Sequence, residues 1–260
     1  MTLNCVSTPF ASGMESAVDV SIVSHGHGRM VGDLIANIQT FPEVGRILLT
    51  RNTPDSDGVD EAENTLIINN LKPKGFGANH NAAFSRADAP WFCVLNPDIK
   101  VPINPFPALL ASLNRCGASL MAPSVVNSRG DPEDSVRHFP NIKQLASKLL
   151  GRQDGRYEFQ PNQGITPVDW VAGMFMLFRA EDFKAIGGFD EKFFLYYEDV
   201  DICTRLWKAG RPVMACPQVQ VVHDAQRASR KNWQFMKWHA AGMARYFWKH
   251  WGRLPRKPVS

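Results

Sequence analysis

Four short apolar runs in the first hundred residues, DVSIVS (19–24), GRILLT (45–50), TLIIN (65–69) and WFCVLN (91–96), are separated by stretches of a different character. Residues 30–40 are amphipathic, 77–87 are Ala-rich, and 104–115 follow a proline-marked turn. Strand-length apolar runs alternating with helical patterns read as βαβ units on a mostly parallel sheet. Ligands of such sheets sit beyond the carboxyl ends of the strands, so SHGHG, TRNTPD and NPDIK are where a site is expected.

The second half is less regular. ASLMAPSVV and WVAGMFMLFR read as strands, EDFKAIGG as a short helix closed by glycine, and EDVDICTRLWKAG as a helix with acids in its first turn. PVMACPQVQVVH reads as an edge strand broken by Pro217. A chain of 260 residues with 44% hydrophobic content suits one large α/β domain or two small ones. The five cysteines form no CxxC pair and are odd in number, which argues against a disulfide framework. The N-terminus lacks a basic region followed by an apolar stretch, and no apolar run approaches the roughly 20 residues of a bilayer span. The expectation is a cytoplasmic protein without a targeting signal.

The net charge of +4 is unevenly spread, because residues 225–260 carry nine Lys and Arg and no Asp or Glu. The remainder has 20 basic against 25 acidic residues, so any anionic partner is sought at the tail. Segment 230–257 has helical periodicity, with Trp233, Met236, Ala240, Phe247 and Trp251 as an apolar stripe and Arg245, Lys249 and Arg253 at i, i+4 spacing. It reads either as a terminal helix packed on the domain with a solvated basic face, or as an interfacial helix on anionic lipid.

Three constellations could carry chemistry. In YYEDVDICTRL, Asp201 can pair with Arg205 at i+4 and Glu198 shares its face, whereas Asp199 has only Cys203. Carboxylates in a helix's first turn also complement the macrodipole, which is a sufficient structural reason for all three. Asn96-Pro97-Asp98 closes an apolar strand; it reads as a simple turn or as a carboxylate placed to hold Mg2+ or Mn2+ beside phosphates. His223 follows VQVV and is either a hydrogen-bonded rim residue or a ligand. GFGANH lacks the third glycine of a dinucleotide fingerprint and does not directly follow a strand.

Taken in order, IVSHGH (22–27), GFGANHN (75–81), LNPDI (95–99), VRHFP (136–140), VDWVAGMFMLFR (168–179), GGFDEKFFLYYEDVDICTRLWKAG (187–210) and VVH (221–223) resemble glycosyltransferase family 2. These are inverting GT-A enzymes, and the likeness is to the bacterial rhamnosyltransferases within the family. The resemblance covers nearly everything from 19 to 250. It implies a GT-A, Rossmann-like α/β fold with a mixed central sheet and a C-terminal amphipathic helix. It divides the chain into an extension (1–18), a catalytic domain (19–225, with a nucleotide-sugar half to 100 and an acceptor half after it) and a basic aromatic segment (226–260).

Carried over by position, the resemblance makes Asp199 the catalytic base and Asp98 the retained metal ligand, with His223 a second one and Mg2+ or Mn2+ as cofactor. Ser24, His25, Gly26, Arg51, Asn52, Gly75, Gly77, Asn81 and Asn96 would bind the nucleotide-sugar donor. Trp170, Ala172, Gly173, Glu198 and Arg137 would line the acceptor side. The implied donor is dTDP-rhamnose and the implied acceptor a lipid-linked saccharide, met at an anionic membrane surface through the C-terminal helix. One departure stands out, because Arg51 occupies the place where many members carry an Asp that contacts the nucleoside, leaving Asp55 or Asp57 as its substitute. A transferase for another nucleotide sugar, such as a hexose or galactofuranose, is the alternative reading. A nucleic-acid-binding module is disfavoured by the acidic body, and a nucleotidyltransferase by the poor phosphate loop in SHGHGRM.

Overall fold

The computed structural model describes residues 18–54, 57–140, 155–160, 163–223 and 233–255. The first half runs β1 (Val18–Ser24), α1 (Arg29–Ile38), β2 (Val44–Arg51), β3 (Thr65–Asn69), α2 (Phe76–Phe84), β4 (Trp91–Leu95) and β5 (Ile99–Lys100). It continues with α3 (Phe106–Cys116), β6 (Leu120–Val126), β7 (Val136–Arg137), β8 (Thr166–Pro167), β9 (Trp170–Val171) and β10 (Phe175–Arg179). The chain closes through α4 (Ala180–Ala185), α5 (Glu198–Lys208), β11 (Val213–His223) and α6 (Trp233–His250). The strands and helices expected in the first half all form, within a few residues of the expected bounds.

The main sheet has the order β3-β2-β1-β4-β10-β6-β11-β5, with β8 also on β11. Strands β3, β2, β1 and β4 are parallel, β10 is antiparallel to both β4 and β6, and β6 is parallel to β11. Strands β7 and β9 pair separately. Alternate residues of each strand enter opposite cores, as the two-residue strand period requires. Val20, Ile22, Ile47, Leu95 and Leu177 pack under α1 and α3, through Val31, Leu34 and Ile35 and through Phe106, Leu109 and Leu113. Leu48, Phe92, Val94, Met176 and Phe178 pack on the other side under α2, α4, α5 and α6, where Phe183, Ile202, Leu206 and Tyr246 close the layer.

Strand β11 departs from the sequence expectation. It lies inside the sheet rather than at its edge, with β6 on one side and the short β8 and β5 on the other. Pro217 falls in an irregularity where Cys216 pairs with Pro123 and Gln220 with the next residue, Ser124. Three residues are thus extra on β11, and an odd insertion reverses the side-chain alternation. Val213 and Ala215 face one core while Val221 faces the other. The same reversal sets the side on which His223, two residues further, emerges.

Helix α6 packs on the domain, but not by the stripe that periodicity suggested. Its buried column is Gly242, Tyr246 and His250, whereas Trp233, Met236 and Trp251 are exposed. Arg245 and Lys249 point inward to Asp190. A column made of a glycine, a hydroxyl-bearing ring and an imidazole leaves no apolar stripe in the sequence.

Phe183 is fully buried against Phe84, Phe92, Phe178 and Phe189, with ring centroids 4.6–5.5 Å apart. Phe183→Ala is therefore expected to cost about 3–5 kcal/mol, read as a lowered urea midpoint at unchanged slope.

Candidate active site

The carboxyl ends of β1 and β2 carry the first group of expected residues. Gly26 and Gly28 adopt φ of 83° and 58°, values that suit glycine in the turn that follows Ser24. The Ser24 hydroxyl accepts from the His27 backbone N–H at 3.3 Å, and His27 Nδ1 accepts from the backbone of His25 at 3.0 Å. Burial, and then the neighbouring His27, push the His25 imidazole below its ordinary pKa, favouring a neutral ring. Asn52 is buried and holds the next loop: its amide donates to Lys74 O at 2.9 Å and its carbonyl oxygen accepts from Lys74 N and Asn70.

That network fixes the start of α2. Gly75 abuts the backbone of Phe194, where an added Cβ would lie 2.6 Å from the carbonyl oxygen, and Gly77 abuts Phe189 as closely. Asn81 is bound on both sides to Phe189 backbone and donates to Glu191. Gly75, Gly77 and Asn81 therefore seat α2 against the 187–197 loop. Arg51 forks onto Asp57 with contacts of 2.9 and 2.6 Å and also reaches Val59 O. The guanidinium, opposed by burial, lowers the Asp57 pKa, so the carboxylate near the expected nucleoside edge is one arm of an ion pair. Asp55 lies outside the described residues.

Antiparallel pairing of β5 with β11 sets His223 opposite Ile99, the residue after Asp98. His223 Nε2 stands 3.0 Å from Asp98 Oδ2. Asp98 Oδ1 is buried with no hydrogen-bond partner among the described residues. Pro97 is buried, and the turn is closed by Ile99 N donating to Asn96 O at 3.2 Å.

Asp199 sits in the first turn of α5. Its Oδ1 accepts from Val200 N at 2.8 Å and its Oδ2 from Gly173 N at 3.3 Å. Burial pushes its pKa from 3.8 up to about 6, against the pull of those N–H groups. Glu198 is buried beside it, with Oε2 unbonded among the described residues, and burial and then Asp199 push its pKa well up. Asp201 differs from both. Burial would raise its pKa too, but His250, Arg205 and Lys249 surround it and hold it down.

The two carboxylates at Asp98 and Asp199 belong to one edge of the sheet. Asn96 N donates to Met174 O at 2.9 Å, and the residue before Met174 is Gly173, which binds Asp199. Asp98 is thus two residues from one side of this bond and Asp199 one hydrogen bond from the other. Beside them, Arg137 pairs with Trp170 across β7 and β9, Ala172 N donates to Ser135 O, and Gly173 faces the Phe76 ring. Trp170 Nε1 is spent on His138 O.

Comparison with known proteins relates the chain to enzymes of sugar transfer. The chain is 30% identical over 253 residues to the rhamnosyltransferase WbbL of Escherichia coli K12, covering 88% of this chain and 92% of that one. It belongs to the GT-A glycosyltransferases. The glycosyltransferase is also 27% identical to the N-acetylglucosaminyl-diphospho-decaprenol L-rhamnosyltransferase of Mycobacterium tuberculosis, over 84% of this chain and 80% of the relative. A family model described as the N-terminal domain of galactosyltransferase matches residues 158–225. In fold it is similar to a mannosyltransferase from Pyrobaculum calidifontis in complex with GDP-Man and Mn2+, at a TM-score of 0.60 and 14% identity, over 97% of this chain and 70% of the other.

Among the described residues of the glycosyltransferase, no group of three or more His, Cys, Asp and Glu side chains clusters as a metal site. Asp98 and His223 nevertheless suit a divalent ion, since Asp98 Oδ2 meets the imidazole while its Oδ1 is buried with no hydrogen-bond partner among the described residues, and such ions take further oxygen ligands.

Two functional features escaped the sequence. Tyr196 and Tyr197, with φ of 70° and 72°, are consecutive non-glycine residues in the left-handed region, each costing on the order of 1–2 kcal/mol. They turn the chain into α5 and aim Asp199 at Gly173. Side-chain chemistry carries no signal for such a corner, since Asn, Asp and Gly are its usual markers. The contact of α6 with this corner was likewise invisible.

The raised Asp199 pKa predicts a stability effect. Because the folded-state value near 6 lies above the unfolded one, the folded protein keeps a proton that the unfolded chain releases between about pH 4 and 6. Stability contributed by this group is full below pH 4 and lost as pH rises through 6. Asp199→Asn should therefore flatten this dependence, its urea midpoint falling less between pH 4 and pH 7.5 than that of the unaltered protein.

Proposed function

We propose that this glycosyltransferase moves L-rhamnose from dTDP-β-L-rhamnose to a lipid-linked saccharide, such as N-acetylglucosamine on a polyprenyl diphosphate, with inversion at the anomeric carbon. The observation that carries the reading is the Asn96–Met174 bond, which puts Asp98 and Asp199 on one edge of the sheet. The donor and acceptor are suggested by the names of the two relatives, one a rhamnosyltransferase and the other acting as an N-acetylglucosaminyl-diphospho-decaprenol L-rhamnosyltransferase. In bacteria such a product belongs to surface polysaccharide.

Asp199 accepts the proton of the acceptor hydroxyl as that oxygen attacks the anomeric carbon from the side opposite the diphosphate. The N–H of Gly173 and of Val200 hold the carboxylate in place, and a pKa near 6 leaves it ionised yet basic at neutral pH. Glu198 is buried beside the base, and burial and then Asp199 push its own pKa well up. Asp98 and His223 would hold Mg2+ or Mn2+, which when bound neutralises charge on the departing diphosphate. Ser24, His25, Asn52 and Asn96 lie on the loops that would take the nucleotide sugar, while Arg51, spent on Asp57, would act there through that pair. Trp170, Ala172, Gly173 and Arg137 would face the acceptor. No described helix is long and apolar enough to cross a membrane. The exposed Trp233, Met236, Trp248 and Trp251 favour contact of α6 with a lipid surface, where a lipid-borne acceptor resides.

Three outcomes are expected. Asp199→Asn should leave donor binding by calorimetry within about two-fold while kcat falls about 10²- to 10⁴-fold, and kcat/KM of the unaltered enzyme should rise with pH through about 6; substantial turnover by the variant removes Asp199 from the role of base. Asp98→Ala should abolish the Mn2+-dependence of donor affinity, and donor binding that stays metal-dependent would place the ion elsewhere. Cosedimentation with anionic vesicles should drop in Trp248→Ala/Trp251→Ala; pelleting equal to that of the unaltered protein would exclude this face from the membrane.

A further inference from the structure

We propose that helix α6 is a brace for the catalytic corner, and that Gly242 and His250 are positioning residues for Asp199. The inference rests on Asp199 being the base. Its starting point is the corner itself: two tyrosines in succession hold a backbone conformation that L side chains rarely adopt, and something outside the loop must keep them there.

The surroundings supply one candidate. Gly242 lies against the Tyr196 carbonyl so closely that a Cβ would come within 2.7 Å of the oxygen and 3.3 Å of the Tyr197 ring. His239, three residues earlier, sets its ring edge-on to Tyr196 and Tyr197 at 5.5 and 5.3 Å between centroids. One turn beyond Gly242, Tyr246 is fully buried beside the Tyr197 ring, and its hydroxyl meets Thr204 Oγ1 at 2.9 Å. Another turn on, His250 Nε2 stands 2.8 Å from Asp201 Oδ1, while Lys208 Nζ meets its Nδ1 at 2.6 Å. Donation by Lys208 to Nδ1 leaves the imidazole proton on Nε2 for Asp201.

A column at i, i+4 and i+8 on α6 thus engages α5 from its left-handed cap at Tyr197 down to Lys208. Lys249 adds a second tie, reaching both Asp201 and Asp190, and Arg245 reaches Asp190 with its guanidinium over the Phe193 ring. The loop 190–197 and the first turn of α5 are therefore held from the same helix, with Asp199 between the two holding points. Fixing those points fixes the carboxylate relative to Gly173. A shift of the base by about 1 Å can cost a hundred-fold in rate without disturbing a donor site built on other strands.

The test uses the full-length enzyme, an acceptor of N-acetylglucosamine on a short polyprenyl diphosphate, and whichever nucleotide sugar the unaltered protein turns over fastest from a panel of dTDP-, UDP- and GDP-sugars. Gly242→Ala should lower kcat about ten- to hundred-fold with donor KM within about two-fold. His250→Ala should lower kcat less, and His250→Gln, which can still donate to Asp201, should restore it. Ala241→Ser, exposed on the neighbouring position of α6, should behave as the unaltered enzyme. Wild-type kcat in Gly242→Ala and His250→Ala, or a parallel loss of kcat and donor binding tracking the unfolded fraction by circular dichroism, overturns the brace. Asp199→Asn run alongside separates the two readings: if it is inactive while Gly242→Ala is not, only the brace fails, and if it is active the base assignment fails first.

Discussion

Strand β10 runs against both of its neighbours in a sheet whose first four strands are parallel, and its first residues meet the carboxyl end of β4 head-on. The bond from Asn96 N to Met174 O closes that seam. A turn that follows a parallel strand and a turn that precedes an antiparallel one emerge at the same edge, so the Asp98 loop and the Gly173 amide become neighbours. Helix α5 then needs only one hydrogen bond to Gly173 to bring Asp199 to that edge. Had β10 been parallel, its start would lie at the opposite end of the sheet from Asp98.

Placing three carboxylates within four residues, two buried and one partly so, is costly, and each is settled differently. Asp201 is matched by Arg205, Lys249 and His250, at contacts of 2.7–2.8 Å, and becomes the anchor of α6. Glu198 has no cation and is pushed toward the neutral acid by burial. Asp199 receives two backbone N–H bonds and a partly open face, an intermediate outcome that keeps it ionisable near neutrality. The sequence EDVD looks uniform, but the environments do not.

The parallel half of the fold was legible because its strands are continuous apolar runs and its helices have the usual period. Strands β5, β7, β8 and β9 are two residues each and leave no periodic trace, yet β5 is what brings His223 to Asp98. Pro217 reads from the sequence as a break at an edge; in the structure it is one of three extra residues that reverse the face of β11. Spacing along the helix correctly distinguished Asp199 from Asp201, since the Asp201–Arg205 pair is a local i, i+4 contact. The Gly242–Tyr246–His250 column was hidden because close approach, a hydroxyl contact and a buried imidazole are not hydrophobic signals. Arg51 reads from the sequence as a departure at the nucleoside position; in the structure it is paired with Asp57, six residues on.

The proposed transfer requires Asp98 and Asp199 to face one crevice across the β4–β10 seam. A crystal structure with Mn2+ and an intact or hydrolysis-resistant nucleotide sugar tests this directly, using anomalous scattering to locate the ion. The prediction is an ion bound by Asp98 and His223 and by the diphosphate, with the anomeric carbon presenting its open side to Asp199. An ion bound away from Asp98, or a sugar whose open side faces away from Asp199, would contradict it.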